Sequence, residues 1–102
     1  MNTKEKNELI LHFMEKTMEL TDLIKEYLVA YNDDFENAYV TFDEFDGKNI
    51  SYLVHFPQSL ICLKNRLCQI DIKFDKVDDG QYIKEIVLKA LSKFLSNEHR
   101  ES

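Results

Sequence analysis

The sequence predicts an α+β fold, with an antiparallel three- or four-stranded sheet and two helices packed on one of its faces, in the order α-β-β-(β)-β-α. Three observations carry this. A long apolar stripe at helical spacing opens the chain, strict alternation of apolar and polar residues fills its middle, and a second helical stripe closes it. The length of 102 residues is that of one domain, with room for a single core and not for a separate cofactor domain. Hydrophobic residues make up 44% and charged residues 31%, with two glycines and one proline, so folded elements rather than flexible linkers are expected.

The first helix is expected from about Thr3 to Tyr31, a stretch without glycine or proline. Ile10, Phe13, Met14, Thr17, Met18, Thr21, Ile24, Leu28 and Tyr31 recur at steps of three and four, and Leu9, Leu20, Leu23 and Tyr27 widen the stripe. Such a helix would be about 43 Å long at 1.5 Å per residue, longer than a domain of this size is wide. Either it breaks near Thr21-Asp22, with the threonine capping a second helix, or it stays single and leaves apolar surface for another chain, as in a homodimer. The single helix is preferred. Asn32-Asp33-Asp34 is a turn signal that ends it.

Two strands follow. Ala38, Val40 and Phe42 share one face, as do Ile50, Tyr52, Val54 and Phe56. A three-residue loop, Phe45-Asp46-Gly47, is expected between them, with Gly47 in the left-handed region. That register pairs Phe42 with Ile50, Val40 with Tyr52 and Ala38 with Val54, and sets Glu44 opposite Lys48. It leaves Phe45 exposed at the tip. Pro57 ends the second strand. Leu60–Leu63 is either a short strand or a helical turn, since four apolar residues do not distinguish them. A further strand is expected over Leu67–Asp75, with Cys68, Ile70, Ile72 and Phe74 inward and Gln69, Asp71, Lys73 and Asp75 outward. Asp79 then caps a last helix from about Gly80 to Ser96, which buries Ile83, Ile86, Val87, Ala90, Leu91, Phe94 and Leu95. Residues 97–102 read as a frayed tail.

Asp plus Glu number 19 against 13 Lys plus Arg, a formal net charge of −6. This disfavours direct nucleic-acid or anionic-membrane binding and favours a basic protein partner. No apolar run approaches the roughly 18 residues of a membrane span, and no signal-peptide pattern opens the chain, so a cytoplasmic protein with reduced thiols is expected. The frequent Asn, Ile and Lys point to an AT-rich coding genome, bacterial or phage.

Little in the sequence carries chemistry. His12, His55 and His99 are scattered, Cys62 and Cys68 match no zinc or redox spacing, and Gly47 and Gly80 stand alone, so no phosphate-cradling loop is present. No GxSxG or EF-hand pattern occurs. Asp33-Asp34, Asp43-Glu44 and Asp78-Asp79 lie in turns or strand ends, where carboxylates serve solubility and capping. The expectation is a protein without enzymatic activity, metal or cofactor, an enzyme with an unrecognised site being a further alternative.

The element order resembles that of double-stranded RNA-binding domains, which contact phosphates through lysines at the start of their last helix. Here that place holds Asp78, Asp79 and Gly80, a departure that excludes RNA binding. The order also resembles the first part of secretion chaperones, which are small, acidic and dimeric, and this implies a peptide-holding adaptor as the alternative function. The leading expectation is a small protein-binding inhibitor or immunity-type module that covers a basic, nucleic-acid-binding site on another protein, its carboxylates standing in for phosphates. The face uncovered by helices is expected to bind, through Tyr39, Asp43, Glu44, Phe45, Leu53, His55, Asp71, Lys73 and Asp75, with aromatic and aliphatic anchors ringed by charge.

Overall fold

The computed structural model describes residues 2–30, 36–57 and 67–99, the last three by backbone alone. A first helix, α1 (Thr3–Leu28), precedes three strands, β1 (Tyr39–Phe45), β2 (Asn49–His55) and β3 (Leu67–Lys73), and a second helix, α2 (Gly80–His99), follows them. The strands form one antiparallel sheet in the order β1-β2-β3. The predicted α+β order is therefore present with three strands; Leu60–Leu63, where a fourth strand was an option, falls outside the described residues, as do Asn32–Asp34 and Cys62.

The α1 helix starts where Asn2 caps it, the Asn2 side-chain oxygen accepting from the Glu5 backbone N–H at 2.8 Å. It runs unbroken for 26 residues, about 39 Å, so it exceeds the two short dimensions of the molecule, 24 and 22 Å. Its residues from Asn2 to Glu8 are all exposed. Phe13, Leu20, Ile24 and Leu28 are its buried residues. Thr21 does not cap a second helix. Its hydroxyl accepts from the Val40 backbone N–H at 3.0 Å, so it ties β1 to the helix.

One core lies between the sheet and both helices. Val40, Ile50, Tyr52, Val54, Cys68, Ile70 and Ile72 meet Phe13, Leu20 and Ile24 of α1 and Val87, Leu91 and Leu95 of α2. Tyr52, at the centre of the middle strand, is fully buried, and its hydroxyl donates to the Phe13 carbonyl at 2.9 Å. This bond meets the requirement that a buried polar group find a partner. Phe56 stacks on Phe94, and the Tyr27 hydroxyl lies 3.1 Å from that of Ser92, linking the two helices.

The β1–β2 register differs from the predicted one. Val40 pairs with Val54 and Phe42 with Tyr52; after a bulge at Asp43, Glu44 pairs with Ser51 and Phe45 with Ile50. An extra residue on one strand reverses the parity of everything beyond it. Phe42 and Phe45, three apart, thus both face the core, which an uninterrupted strand cannot achieve. Phe45 is half-buried rather than exposed at the tip, with its ring 5.0 Å from Phe13 and 5.1 Å from Phe74, both edge-on. The turn shifts accordingly. The Asp46 carboxylate accepts from the Lys48 and Asn49 backbone N–H groups at 2.8 and 2.7 Å, and Gly47 adopts φ +97°, a conformation open to glycine and costly for other residues.

Beyond β3 the chain tightens into a 3-10 turn over Phe74–Lys76, so Asp75 leaves the sheet instead of extending the strand. Asp79 caps α2 as expected, accepting from the Tyr82 backbone N–H at 3.1 Å. The helix continues to His99, past the predicted end at Ser96.

Candidate functional site

Neither helix covers the second face of the sheet. Strand pairing arranges this face in rows, because directly opposed residues of antiparallel strands share a face. One row is Tyr39–His55–Leu67, the next Thr41–Leu53–Gln69, the next Glu44–Ser51–Asp71, and Asn49 pairs with Lys73 at the end. Of the predicted site residues, Tyr39, Glu44, Leu53, His55, Asp71 and Lys73 gather here. Asp43 is exposed at the bulge. Two fall outside the set: Phe45 turns into the core, and Asp75 sits in the 3-10 turn beyond the strand.

The face has two halves of different chemistry. At one end the Tyr39 ring stacks on His55, centroids 4.5 Å apart and planes 3° from parallel. The His55 ring nitrogen Nε2 lies 2.7 Å from the Thr41 hydroxyl, which fixes the imidazole. Tyr39 and Leu67 are 51% and 49% exposed on either side of it. This end offers flat aromatic and aliphatic surface.

The other end is acidic. Glu44, Asp46, Asn49, Ser51, Gln69 and Asp71 wall a shallow cavity of about 190 Å³. Its floor is Ser51, which is only 5% exposed although it lies on the uncovered face, and among the described residues its hydroxyl has no hydrogen-bond partner. An unpartnered buried hydroxyl costs about 1–3 kcal/mol. Adjacent strands lie about 4.8 Å apart, so the Glu44 and Asp71 backbones stand roughly 10 Å from each other with Ser51 midway. Both carboxylates are exposed, so solvent and salt screen their mutual repulsion. Their negative potentials nevertheless add over Ser51. Gln69 donates its side-chain amide to Asp71 at 3.0 Å. Among the described residues no ion pair involves Glu44, Asp46 or Asp71. The backbone N–H groups of Asn49 and Lys48 hold the Asp46 carboxyl below the usual carboxylate range.

One group of charges, on α1 and before α2, is matched internally. Lys16 on α1 reaches Glu19 at 3.1 Å and Asp78 at 3.3 Å, and His12 reaches the same Asp78 oxygen at 3.3 Å. Partial burial pulls the Lys16 ammonium down, but the bonds to Glu19 and Asp78 outweigh it and leave Lys16 raised. Hydrogen bonds from Lys16 and then His12 lower the Asp78 carboxyl. Lys16, Glu19 and Asp78 edge a second cavity, of about 170 Å³, between α1 and the start of α2, with Leu20, Tyr52 and Ile72 behind them. Burial pushes the Tyr52 hydroxyl well above its ordinary value and the Cys68 thiol up to about 11, so neither ionises near neutral pH. Among the described residues no group of three or more His, Cys, Asp and Glu is placed to hold a metal ion, and no helix is long and apolar enough to cross a membrane.

Comparison of the chain with models of protein families, with curated proteins and with solved structures found no match in any of the three.

Proposed function

We propose that the protein is a small acidic binding module that docks its uncovered sheet face on a basic surface of a protein partner, in the manner of an inhibitor or immunity protein. The observation that supports this reading is the composition of that face. Exposed Tyr39 and Leu67 share the face with Glu44 and Asp71, one row intervening, and these carboxylates have no ion-pair partners among the described residues. Aromatic and aliphatic anchors supply buried area in an interface, and unneutralised charge steers a partner of opposite sign. The bulge at Asp43 contributes by turning Glu44 out beside Ser51 while Phe45 turns in. If the partner's basic surface ordinarily holds nucleic acid, the carboxylates compete with phosphates for it.

Capture from a lysate of the source cells, eluted in salt steps, gives the test. A stoichiometric basic protein should be retained by the parent and released by rising salt, and lost when Asp43, Glu44 and Asp71 are reversed to Lys together. Unchanged capture by the reversed protein would refute the assignment of this face.

A second reading rests on α1. Leu11, Met14 and Met18 are 59%, 50% and 76% exposed at i, i+3 and i+7, a stripe on the helix's outer side. Such a stripe suits self-association, as in a dimeric adaptor that holds a peptide. Sedimentation at tens of micromolar separates the readings, since a strict monomer removes the dimer.

A further inference from the structure

We infer that the Glu44–Ser51–Asp71 row is an arginine-binding notch, which takes the guanidinium group of an arginine side chain presented by the protein partner. The inference rests on the docking reading above and names the contact that carries its specificity. The two carboxylates belong to different strands and flank Ser51 from opposite sides, one through each strand pairing. The cavity over them is shallow, open to solvent and walled by polar side chains. Its floor is a hydroxyl that is nine-tenths buried and lacks a partner among the described residues.

A ligand completing this site must bring N–H donors and positive charge together. An anion is excluded by the carboxylates, and a neutral apolar group would leave both them and the hydroxyl unpaired. A guanidinium is planar and carries five N–H donors, so it can reach two separated carboxylates while a further N–H meets the serine oxygen between them. An ammonium is a compact point charge and spans such a gap less well. Among the described residues no group of three or more His, Cys, Asp and Glu is placed to hold a metal ion, and calcium is the comparison that tests this. Asp71 is held from one side by the Gln69 amide, which bonds only its Oδ1 and leaves its other oxygen for the incoming group. The half-buried Leu53 in the neighbouring row offers apolar surface for the arginine stem.

The probe is N-acetyl-arginine methylamide, titrated at fixed ionic strength into isotopically labelled protein while backbone amide shifts are followed. The lysine analogue and calcium chloride serve as comparisons. Saturable shifts centred on Glu44, Ser51 and Asp71 are expected, with affinity at least about threefold better for arginine than for lysine. Ser51→Ala should weaken the arginine probe by roughly 3–10-fold, the worth of one hydrogen bond, and should melt no lower than the parent because it removes an unpaired hydroxyl. Glu44→Gln with Asp71→Asn should abolish saturation. Shifts that scatter over the surface, tighter saturation by calcium, or equal binding by Ser51→Ala would each overturn the notch. If the probe fails while triple reversal of Asp43, Glu44 and Asp71 still abolishes partner capture, the notch is wrong and the docking face stands. If the reversal leaves capture intact, the docking reading itself fails.

Discussion

Replacing Phe45 with alanine tests the bulge that shapes both faces of the sheet. In the unbulged hairpin Phe45 is a solvent-exposed tip residue, and its truncation would change stability by no more than about 0.5 kcal/mol. In the observed register its ring packs edge-on against Phe13 and Phe74 at 5.0 and 5.1 Å. Truncating a fully buried phenylalanine costs about 3–5 kcal/mol. Phe45 is half-buried, which lowers the figure, while each aromatic pair is worth about 0.5–1.5 kcal/mol. The expected loss is about 2–3 kcal/mol. Urea unfolding followed by far-ultraviolet circular dichroism reads this as a midpoint lowered by roughly 1 M at unchanged slope. A double-mutant cycle with Phe74→Ala should give a coupling of about 0.5–1.5 kcal/mol. A Phe45→Ala midpoint indistinguishable from the parent would refute the register, and with it the placement of Glu44 beside Ser51.

Other consequences are local. Gly47→Ala should cost about 1–2 kcal/mol in a thermal melt, because its φ of +97° disfavours a side chain although nothing lies within 4 Å of the added carbon. In a Cys62→Ser background, Cys68 should resist iodoacetamide at pH 8 until the protein unfolds, since its thiol is buried and raised to about 11. The lowered Asp78 carboxyl contributes stability that is fully present above the ordinary carboxylate pKa and is lost as pH falls through the lowered folded value. Asp78→Asn should therefore be less stable than the parent at pH 6. The difference should vanish once the pH lies below the lowered folded value, and it should be small because Asp78 is 71% exposed.

Periodicity makes both helices, the buried face of α2 and all three observed strands legible in the sequence, whereas Met14 and Met18, read into the apolar stripe of α1, are exposed. It works where one face of an element is apolar, as in Cys68-Ile70-Ile72 or Val87-Leu91-Leu95. It fails at β1, where the bulge interrupts strict alternation. The apolar residues Val40, Phe42 and Phe45 step by two and then by three, and that uneven step is the signal of the bulge. Strict alternation also carries the expected β3 on to Asp75, where Phe74 joins the aromatic cluster from a 3-10 turn. Most of the uncovered face could be read from the sequence, since it is the complement of the apolar rows. The Ser51 floor could not, because its burial depends on walls from three strands, and the predicted β1–β2 pairing differs from the observed one. Nor could the link between Asp78 and both His12 and Lys16, which joins residues more than sixty positions apart.

Carboxyl footprinting of the captured complex tests the docking face most directly. With a carbodiimide and an amine label, Asp43, Glu44 and Asp71 should lose reactivity when the partner is bound, while Glu8, Glu15 and Glu26 on α1 keep theirs. Protection confined to the α1 carboxylates, with the sheet face as reactive as in the free protein, would contradict the account.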